Sequence, residues 1–199
     1  MYKKGCFLTM ALTLYNTAHG ISLRLLNIQD AQAYLELIHL IRLPYQSVEP
    51  VREDDFYTLE AQMRRIKDRV QAADEGTGYQ FGIFAIQDDL LIGQVSLNNV
   101  VLGVANYADL GYFIHPDYQG GGRMTAAVKL AVAYGFRALK LNRVQAAVLP
   151  SNHGSQRVLE KNGFQREGVA RKYLKINGVY QDHQIYALLA EDLEDSSLH

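Results

Sequence analysis

The chain is 199 residues long, 48% apolar and 21% charged, the proportions of one globular domain with enough length to bury a core unaided. Twenty Lys and Arg against 21 Asp and Glu leave a net charge of −1, which argues against nucleic-acid binding by bulk phosphate neutralisation. A single cysteine, Cys6, excludes a disulfide framework and a Cys-based zinc site, and fits a reducing, cytoplasmic compartment.

Near the N-terminus, Lys3 and Lys4 precede the apolar run Cys6–Tyr15, the order of a short secretory leader, but no small-x-small cleavage pattern follows in Asn16–Gly20. Residues 1–20 are therefore read as an N-terminal extension or an extra strand, with Met10 as an alternative start, and residues 21–199 as the domain. No apolar run is long enough for a membrane span. Ser22–Leu26 reads as a strand. Ile28, Ala31, Tyr34, Leu35, Ile38 and Ile41 repeat at helical spacing, and Pro44 ends that helix. Tyr45–Asp55 is a loop with several acids. Phe56–Ala73 is a second helix, striped by Leu59, Met63, Ile66 and Val70, and followed by a turn at Gly76 and Gly78. Strands follow at Tyr79–Gln87, Leu90–Val101 and Ala105–His115, the first two joined at Asp88-Asp89. Gly120–Gly122 open a helix running to Leu139. A strand at Arg143–Leu149 leads into a short helix after Asn152, capped by Gly163. Phe164–Leu174 and Tyr180–Ala190 close the chain as a hairpin turning at Asn177-Gly178. The pattern is α/β with a mixed sheet.

Several chemistries have no motif here: there is no G-x-S-x-G, no G-x-x-x-x-G-K-[ST] and no H-E-x-x-H. The six His are scattered without metal-ligand spacing, so no metal is expected. Gly111–Met124 is more informative: a strand, then Gly120-Gly121-Gly122, then a helix. Successive N–H groups at such a helix start make an anion cradle, and glycine lets a phosphate approach the backbone. Three glycines alone fit equally a plain turn with a glycine N-cap. In Asn152–Phe164, Asn152 is a natural N-cap, Ser155 lies in the first turn, and Val158 and Leu159 face inward. Alone, this is an ordinary capped helix.

Together, in this order and separation, the two segments resemble the GNAT acetyltransferase superfamily. The first resembles its Q/R-x-x-G-x-G/A loop, with Gln119 and Gly122 in place. The second resembles its N-x-x-S-x-x-x-x-x-K-x-G-F element, Asn152 through Ser155 and Lys161 to Phe164. Glu49-Pro50-Val51-Arg52, Phe81–Phe84, Asn99–Val101 and Tyr173–Gly178 are similar to the ribosomal-protein-alanine N-acetyltransferase branch, and the likeness runs from Leu23 to Leu189. The resemblance implies an α/β (α+β) single domain. Its central sheet would be mixed, mostly antiparallel and twisted, flanked by helices and splayed between the fourth and fifth strands. It implies acetyl-coenzyme A as cosubstrate. Backbone groups of Phe113 and Ile114 would hold the pantetheine arm, and the amides of Gln119, Gly120, Gly121, Gly122, Arg123 and Met124 the pyrophosphate. Asn152 and Lys161 would add contacts, and Ser155 would protonate the leaving thiolate.

The chain departs from that pattern at Met124, where Gly or Ala is frequent, and at Gly121, where a Lys or Gln is lost. Arg123 replaces an apolar residue; a cation in the first helical turn opposes the dipole unless it reaches bound phosphate. Glu160 stands where many relatives carry a Tyr acid, which leaves Ser155 as the better acid. Ala147 stands where some N-terminal acetyltransferases place a Glu base. Asp109 is the first candidate for that base, or else a solvated strand residue. Glu53 and Asp54, with Asp55, attract a cationic acceptor or are simply a charged helix start. Tyr173 lines an acceptor groove or packs. An N-terminal α-amine, with a pKa of about 7.7–8.0 against about 10.4 for Lys, needs only mild base assistance. The Ile114 N–H would polarise the thioester carbonyl. The expected activity is acetyl transfer to a primary amine, foremost the N-terminal α-amine of a protein such as a ribosomal protein. The alternatives are a small amine (polyamine, amino acid or antibiotic) or a non-catalytic coenzyme-binding module. Neither direct nucleic-acid nor membrane partners are expected, and the oligomeric state, monomer or dimer, stays open.

Overall fold

The computed structural model describes residues 12–195; Lys3, Lys4, Cys6 and Met10, with most of the leader-like run, lie outside the described residues. The strands are β1 (Thr13–Asn16), β2 (Ile21–Leu25), β3 (Tyr79–Ala85), β4 (Leu90–Val101), β5 (Tyr107–Ile114), β6 (Arg143–Val148), β7 (Gln165–Ile176) and β8 (Val179–Leu189). The helices are α1 (Ala31–Ile41), α2 (Leu59–Glu75), α3 (Arg123–Arg137), α4 (His153–Lys161) and α5 (Ala190–Asp195). Alternation gives the strands a buried face: in β6, Val144, Ala146 and Val148 are buried and their neighbours are not. Among the described residues the strands form one sheet, in the order β1-β2-β3-β4-β5-β6-β8-β7. Every pairing is antiparallel except β5 with β6. Thr13–Asn16, within the stretch read as an extension or extra strand, adds the edge strand β1.

Two apolar cores lie on the sheet. On one face α3 packs its buried Met124, Ala127, Val128, Ala131 and Val132 over the central strands. On the other, α1 and α2 pack with Leu26, Phe84 and Leu91. The helix stripes differ in detail from those read in the sequence. Leu37 of α1 is buried, while Ile28 is exposed in a 3-10 turn, Ile28–Asp30, that precedes the helix. Helix α2 starts at Leu59 rather than Phe56, because Thr58 caps it with its hydroxyl accepting from the Ala61 N–H. Residues Asp54–Tyr57 form a separate 3-10 turn. That start turns Leu59 and Val70 outward and buries Ala61 and Gln62 beside Ile66.

The feature that positions the site is a fork. Parallel pairing of β5 with β6 covers only Tyr107–Asp109 against Arg143–Gln145. Beyond it β5 stays with β4 as far as Ile114, while β6 stays with β8 through Val148. This is the splay expected between the fourth and fifth strands, which become β5 and β6 once the edge strand is counted. At the base of the fork Asp109 accepts from Gln145 Nε2 at 2.9 Å on β6 and from Asn99 Nδ2 at 2.8 Å on β4. Its carboxylate therefore clamps the strands at the point where they part.

Gly93 of β4 faces Ile114 across the ladder. A Cβ there would stand 2.6 Å from the Phe113 carbonyl oxygen and 3.1 Å from the Ile114 Cα, both backbone atoms that cannot swing aside. Gly93→Ala should destabilise the fold by about 1–3 kcal/mol through a forced strand shift. Chemical denaturation monitored by circular dichroism should show this as a lower midpoint; an unchanged midpoint would mean that the ladder accommodates the methyl group.

Candidate active site

Strand geometry decides which backbone groups enter the fork. His115 donates its N–H to the Ile92 carbonyl on β4 at 2.7 Å. Since N–H and C=O directions alternate along a strand, Phe113 also turns its backbone toward β4, and Tyr112 and Ile114 turn theirs into the fork. Ile114 shows this directly. Its N–H donates to the Tyr45 hydroxyl at 3.2 Å, and that hydroxyl donates to the Ile114 carbonyl at 2.8 Å. Gln119 Nε2 donates to the same hydroxyl at 3.1 Å. One tyrosine from the loop after α1 thus satisfies a strand edge that β6 has left bare.

The glycine loop has the form of an anion cradle. Gly120 and Gly122 adopt φ of +79° and +76°, conformations that favour glycine. Among the described residues, the N–H groups from Gly120 to Thr125 donate to no protein acceptor; the ladder resumes with the Ala126 N–H donating to Gly122. A run of unmet donors at the positive end of a 15-residue helix suits a diphosphate. The Arg123 guanidinium curls over the loop, 5.6 Å from the Tyr118 ring centre, and would lie 2.8 Å from a Cβ on Gly121. On the far side of the fork, Asn152 caps α4 by accepting from the Ser155 N–H at 3.1 Å. The Ser155 hydroxyl lies 2.7 Å from the Tyr112 hydroxyl, in a hydrogen bond between the two. Burial raises the Tyr112 pKa well above its ordinary value, the Ser155 bond opposing in part, so the phenol stays protonated.

Two cavities adjoin the fork on the α1–α2 face. One, of about 350 Å³, is mainly apolar and lined by Ile38, Tyr45, Phe56, Tyr57, Phe113 and Asn177 among others. The other, of about 240 Å³, is polar and reaches Gly111, Tyr112 and Phe113 on β5. Glu49, Arg52 and Phe113 line both. Glu49 is exposed as a residue, but its carboxyl stands at the mouth of the cavities. Desolvation there raises its pKa, and Arg52 offsets part of the rise.

A family model for the acetyltransferase (GNAT) domain matches residues 21–165. The chain belongs to the GNAT acetyltransferase family. The chain is 45% identical over 174 residues to a probable N-acetyltransferase, YjcK, of Bacillus subtilis, covering 87% of this chain and 96% of that protein. It is 31% identical over 180 residues to the ribosomal protein uS5-alanine N-acetyltransferase of Escherichia coli, covering 88% and 91%. The crystal structure of the ribosomal-protein-S5-alanine acetyltransferase from Vibrio fischeri superposes with a TM-score of 0.86 at 29% identity, over 91% of this chain and 98% of that one.

Within this acetyltransferase the residues singled out from the sequence divide sharply. Ile114, Gly120, Gly121, Gly122, Arg123, Asn152 and Ser155 converge on the fork and the cradle. Met124 contributes its N–H, its side chain being buried in the core. Lys161 is exposed at the far end of α4, which Asn162 ties to the Thr125 carbonyl in the first turn of α3 at 3.2 Å. Two backbone expectations need correction. The Gln119 N–H is spent on the Pro116 carbonyl, so the cradle begins at Gly120. Phe113 faces the cavities with its ring and not the fork with its amide. Neither Glu53 nor Asp54 lines either of these two cavities; Asp54 is exposed and paired with Arg42 at 2.9 Å. Tyr173 is exposed on β7 against His183, outside both cavities. Tyr45, Glu49 and Tyr112 were not singled out for the chemistry. Glu49 did stand in the Glu49–Arg52 segment, but nothing in its spacing marked a role. Among the described residues no group of three or more His, Cys, Asp and Glu side chains is placed to hold a metal ion, and no helix is long and apolar enough to cross a membrane.

Because Tyr45 holds both polar groups of Ile114, any ligand that uses them must displace its hydroxyl. Tyr45→Phe should therefore tighten coenzyme binding by roughly two- to tenfold, the worth of one net hydrogen bond. Isothermal titration with coenzyme A measures this, and weaker binding would show that the hydroxyl assists the ligand instead.

Proposed function

We propose that the chain acetylates the N-terminal α-amine of a protein, as the names of its ribosomal-protein-alanine acetyltransferase relatives suggest for them. The observation that carries the proposal is the Ser155–Tyr112 hydrogen bond at the fork, with a carboxylate, Glu49, on the cavity side of the same strand. Acetyl-coenzyme A, when bound, supplies the acetyl group as a thioester. The N–H groups from Gly120 to Thr125, with Arg123 above them, would hold its phosphates, and the fork-facing groups of Tyr112 and Ile114 its amide arm. Ser155 would give its proton to the leaving sulfur and be reprotonated from solvent through the Tyr112 hydroxyl, which passes on one proton as it takes up another and which burial keeps protonated. The Ile114 N–H, if released by Tyr45, would be free to donate to the thioester carbonyl oxygen, leaving the Ile114 carbonyl and the Tyr112 groups for the arm. Glu49 takes the proton of the attacking amine. Asp109 is less suited to that role, because both its oxygens already accept amide hydrogen bonds.

The direct test is thiol release from acetyl-coenzyme A with N-terminal peptides and with small amines. Turnover on peptides supports the reading; turnover confined to small amines overturns it. In the same assay Ser155→Ala should lower kcat by about 10²–10⁴-fold, the usual contribution of a general acid, and leave the coenzyme Kd nearly unchanged. An unaltered kcat would remove Ser155 as the acid.

Glu49 gives a pH signature. Arg52 from its own loop, Arg65 and Arg69 from α2, Tyr34 from α1 and Tyr112 from β5 share its cavity. Its raised pKa means that kcat/KM should fall with decreasing pH at a midpoint above the ordinary glutamate value of about 4.3. For stability the sign is opposite: the native state holds the proton more tightly than the unfolded chain, so Glu49 costs stability as pH rises through its raised pKa. Glu49→Gln should therefore remove this lower titration from the rate profile, leaving the fall set by the acceptor amine at about 7.7–8.0, and lower turnover while holding or raising Tm at pH 7. Full turnover in this variant would exclude Glu49 as the base.

A further inference from the structure

The polar cavity has an unusual charge balance. Arg65 from α2 is half-buried in its wall, and Arg52 and Arg69 stand at its rim, against the one carboxylate of Glu49. Three arginines outside the cavity are ion-paired, Arg24 with Asp30 at 2.7 Å, Arg42 with Asp54 at 2.9 Å, and Arg143 with Glu167; what sets the cavity's three apart is that they stand together around one space. Among the described residues none of the cavity's three guanidiniums has a carboxylate within ion-pair distance. Arg69 donates to the Asn98 side-chain oxygen at 3.1 Å. Arg52 and Arg65 lie 5.3 and 4.8 Å from the centre of the Phe56 ring. Burial, together with the charges of Arg52 and Arg69, lowers the Arg65 pKa, with Tyr34 and Asp68 opposing in part, as expected of a half-buried cation beside two others.

A second observation comes from Gln62. Its side chain is fully buried in the same wall, with Nε2 donating to the Phe56 carbonyl. Its Oε1 is the one buried side-chain oxygen or nitrogen among the described residues without a hydrogen-bond partner. Such an acceptor is costly to leave unmet, and a ligand N–H would meet it. The lining residues come from α1, α2, β3, β4, β5 and the loop before α2, none from the glycine loop, so the unpaired charge does not belong to the phosphate cradle.

We infer that this cavity binds the acceptor, and that the acceptor carries a carboxylate close to its reacting amine, held by Arg65 with Arg52 and Arg69 while Gln62 accepts an N–H. Guanidinium forks match carboxylates in plane, and with Glu49 ionised the cavity keeps a surplus of two positive charges, which repels polycationic amines. The carboxylate comes either from an acidic side chain near a protein N-terminus or from the α-carboxylate of a free amino acid. The inference rests on the acetyl-acceptor reading above and narrows its substrate class; turnover confined to free alanine would uphold the anion site while overturning the protein N-terminus as acceptor.

The test measures kcat/KM of the full chain, at saturating acetyl-coenzyme A, on Ala-Glu-Ala-Ala, Ala-Gln-Ala-Ala and Ala-Lys-Ala-Ala peptides, and on alanine against alaninamide. The acid-bearing member of the peptide series or of the alanine pair should lead by about tenfold or more, and the arm showing the lead names the source. Arg65→Gln should reduce that ratio toward one with the coenzyme Kd unchanged. Arg52→Gln, on a loop where folding is little at risk, should reduce it as well. Equal rates within both series, or a ratio intact in both variants, overturn the inference. If no α-amine is acetylated, the acceptor reading itself fails. The binding of N-acetyl-Ala-Glu against N-acetyl-Ala-Gln then decides the anion site on its own: a tighter Glu ligand, weakened in both variants, upholds it, and equal affinity ends it.

Discussion

The parting of β5 from β6 is the constraint on which the rest of the molecule turns. A strand edge inside a protein cannot be left bare, because each unmet N–H or C=O costs about 1–3 kcal/mol. Here the edge is opened deliberately between two strands that remain paired on their other sides. Asp109 clamps the base of the wedge through Asn99 and Gln145, and Tyr45 covers its mouth at Ile114. The cradle at the start of α3 and the Ser155 hydroxyl at the start of α4 flank the opening. Both helix starts face it, so the fold concentrates unsatisfied donors and a hydroxyl around one slot.

Much of this was legible in the sequence, for physical reasons that differ from element to element. Strands β3–β5 and helix α3 carry strong periodicity and sharp glycine punctuation, so their order and type could be read directly. Asn152 and Ser155 were readable because a cap acts locally, within three residues. Phe113 failed because the direction of its amide depends on the register of β4 against β5, a long-range property that alternation within β5 alone leaves ambiguous. The start of α2 failed because Phe56 and Tyr57 look like the first turn of an amphipathic helix, whereas Thr58 is the residue able to cap one. The acids Glu53 and Asp54 were conspicuous by charge, but the loop turns them outward and brings Glu49 in.

The composition, too, gains meaning. The chain has thirteen tyrosines and no tryptophan. Three of them now share a pattern. Tyr34 donates to Gln94 beneath the polar cavity, Tyr45 meets the free edge of Ile114, and Tyr112 meets Ser155. In each case a rigid ring carries a hydroxyl able both to donate and to accept into a place where a partner is missing. An indole, with a donor alone, would not serve both groups of Ile114.

Tyr45 also lines the larger cavity on the acceptor side, and its loop is tied to the closing hairpin where Asn177 donates to the Gln46 carbonyl at 2.7 Å. The residue that gives way at the fork is thus a wall of the neighbouring cavity. Occupation of one compartment and the shape of the other are linked through a single side chain. In a two-substrate enzyme built in this way, a ligand that displaced the Tyr45 hydroxyl from Ile114 would also shift a wall of the larger cavity, so the two compartments would not fill independently.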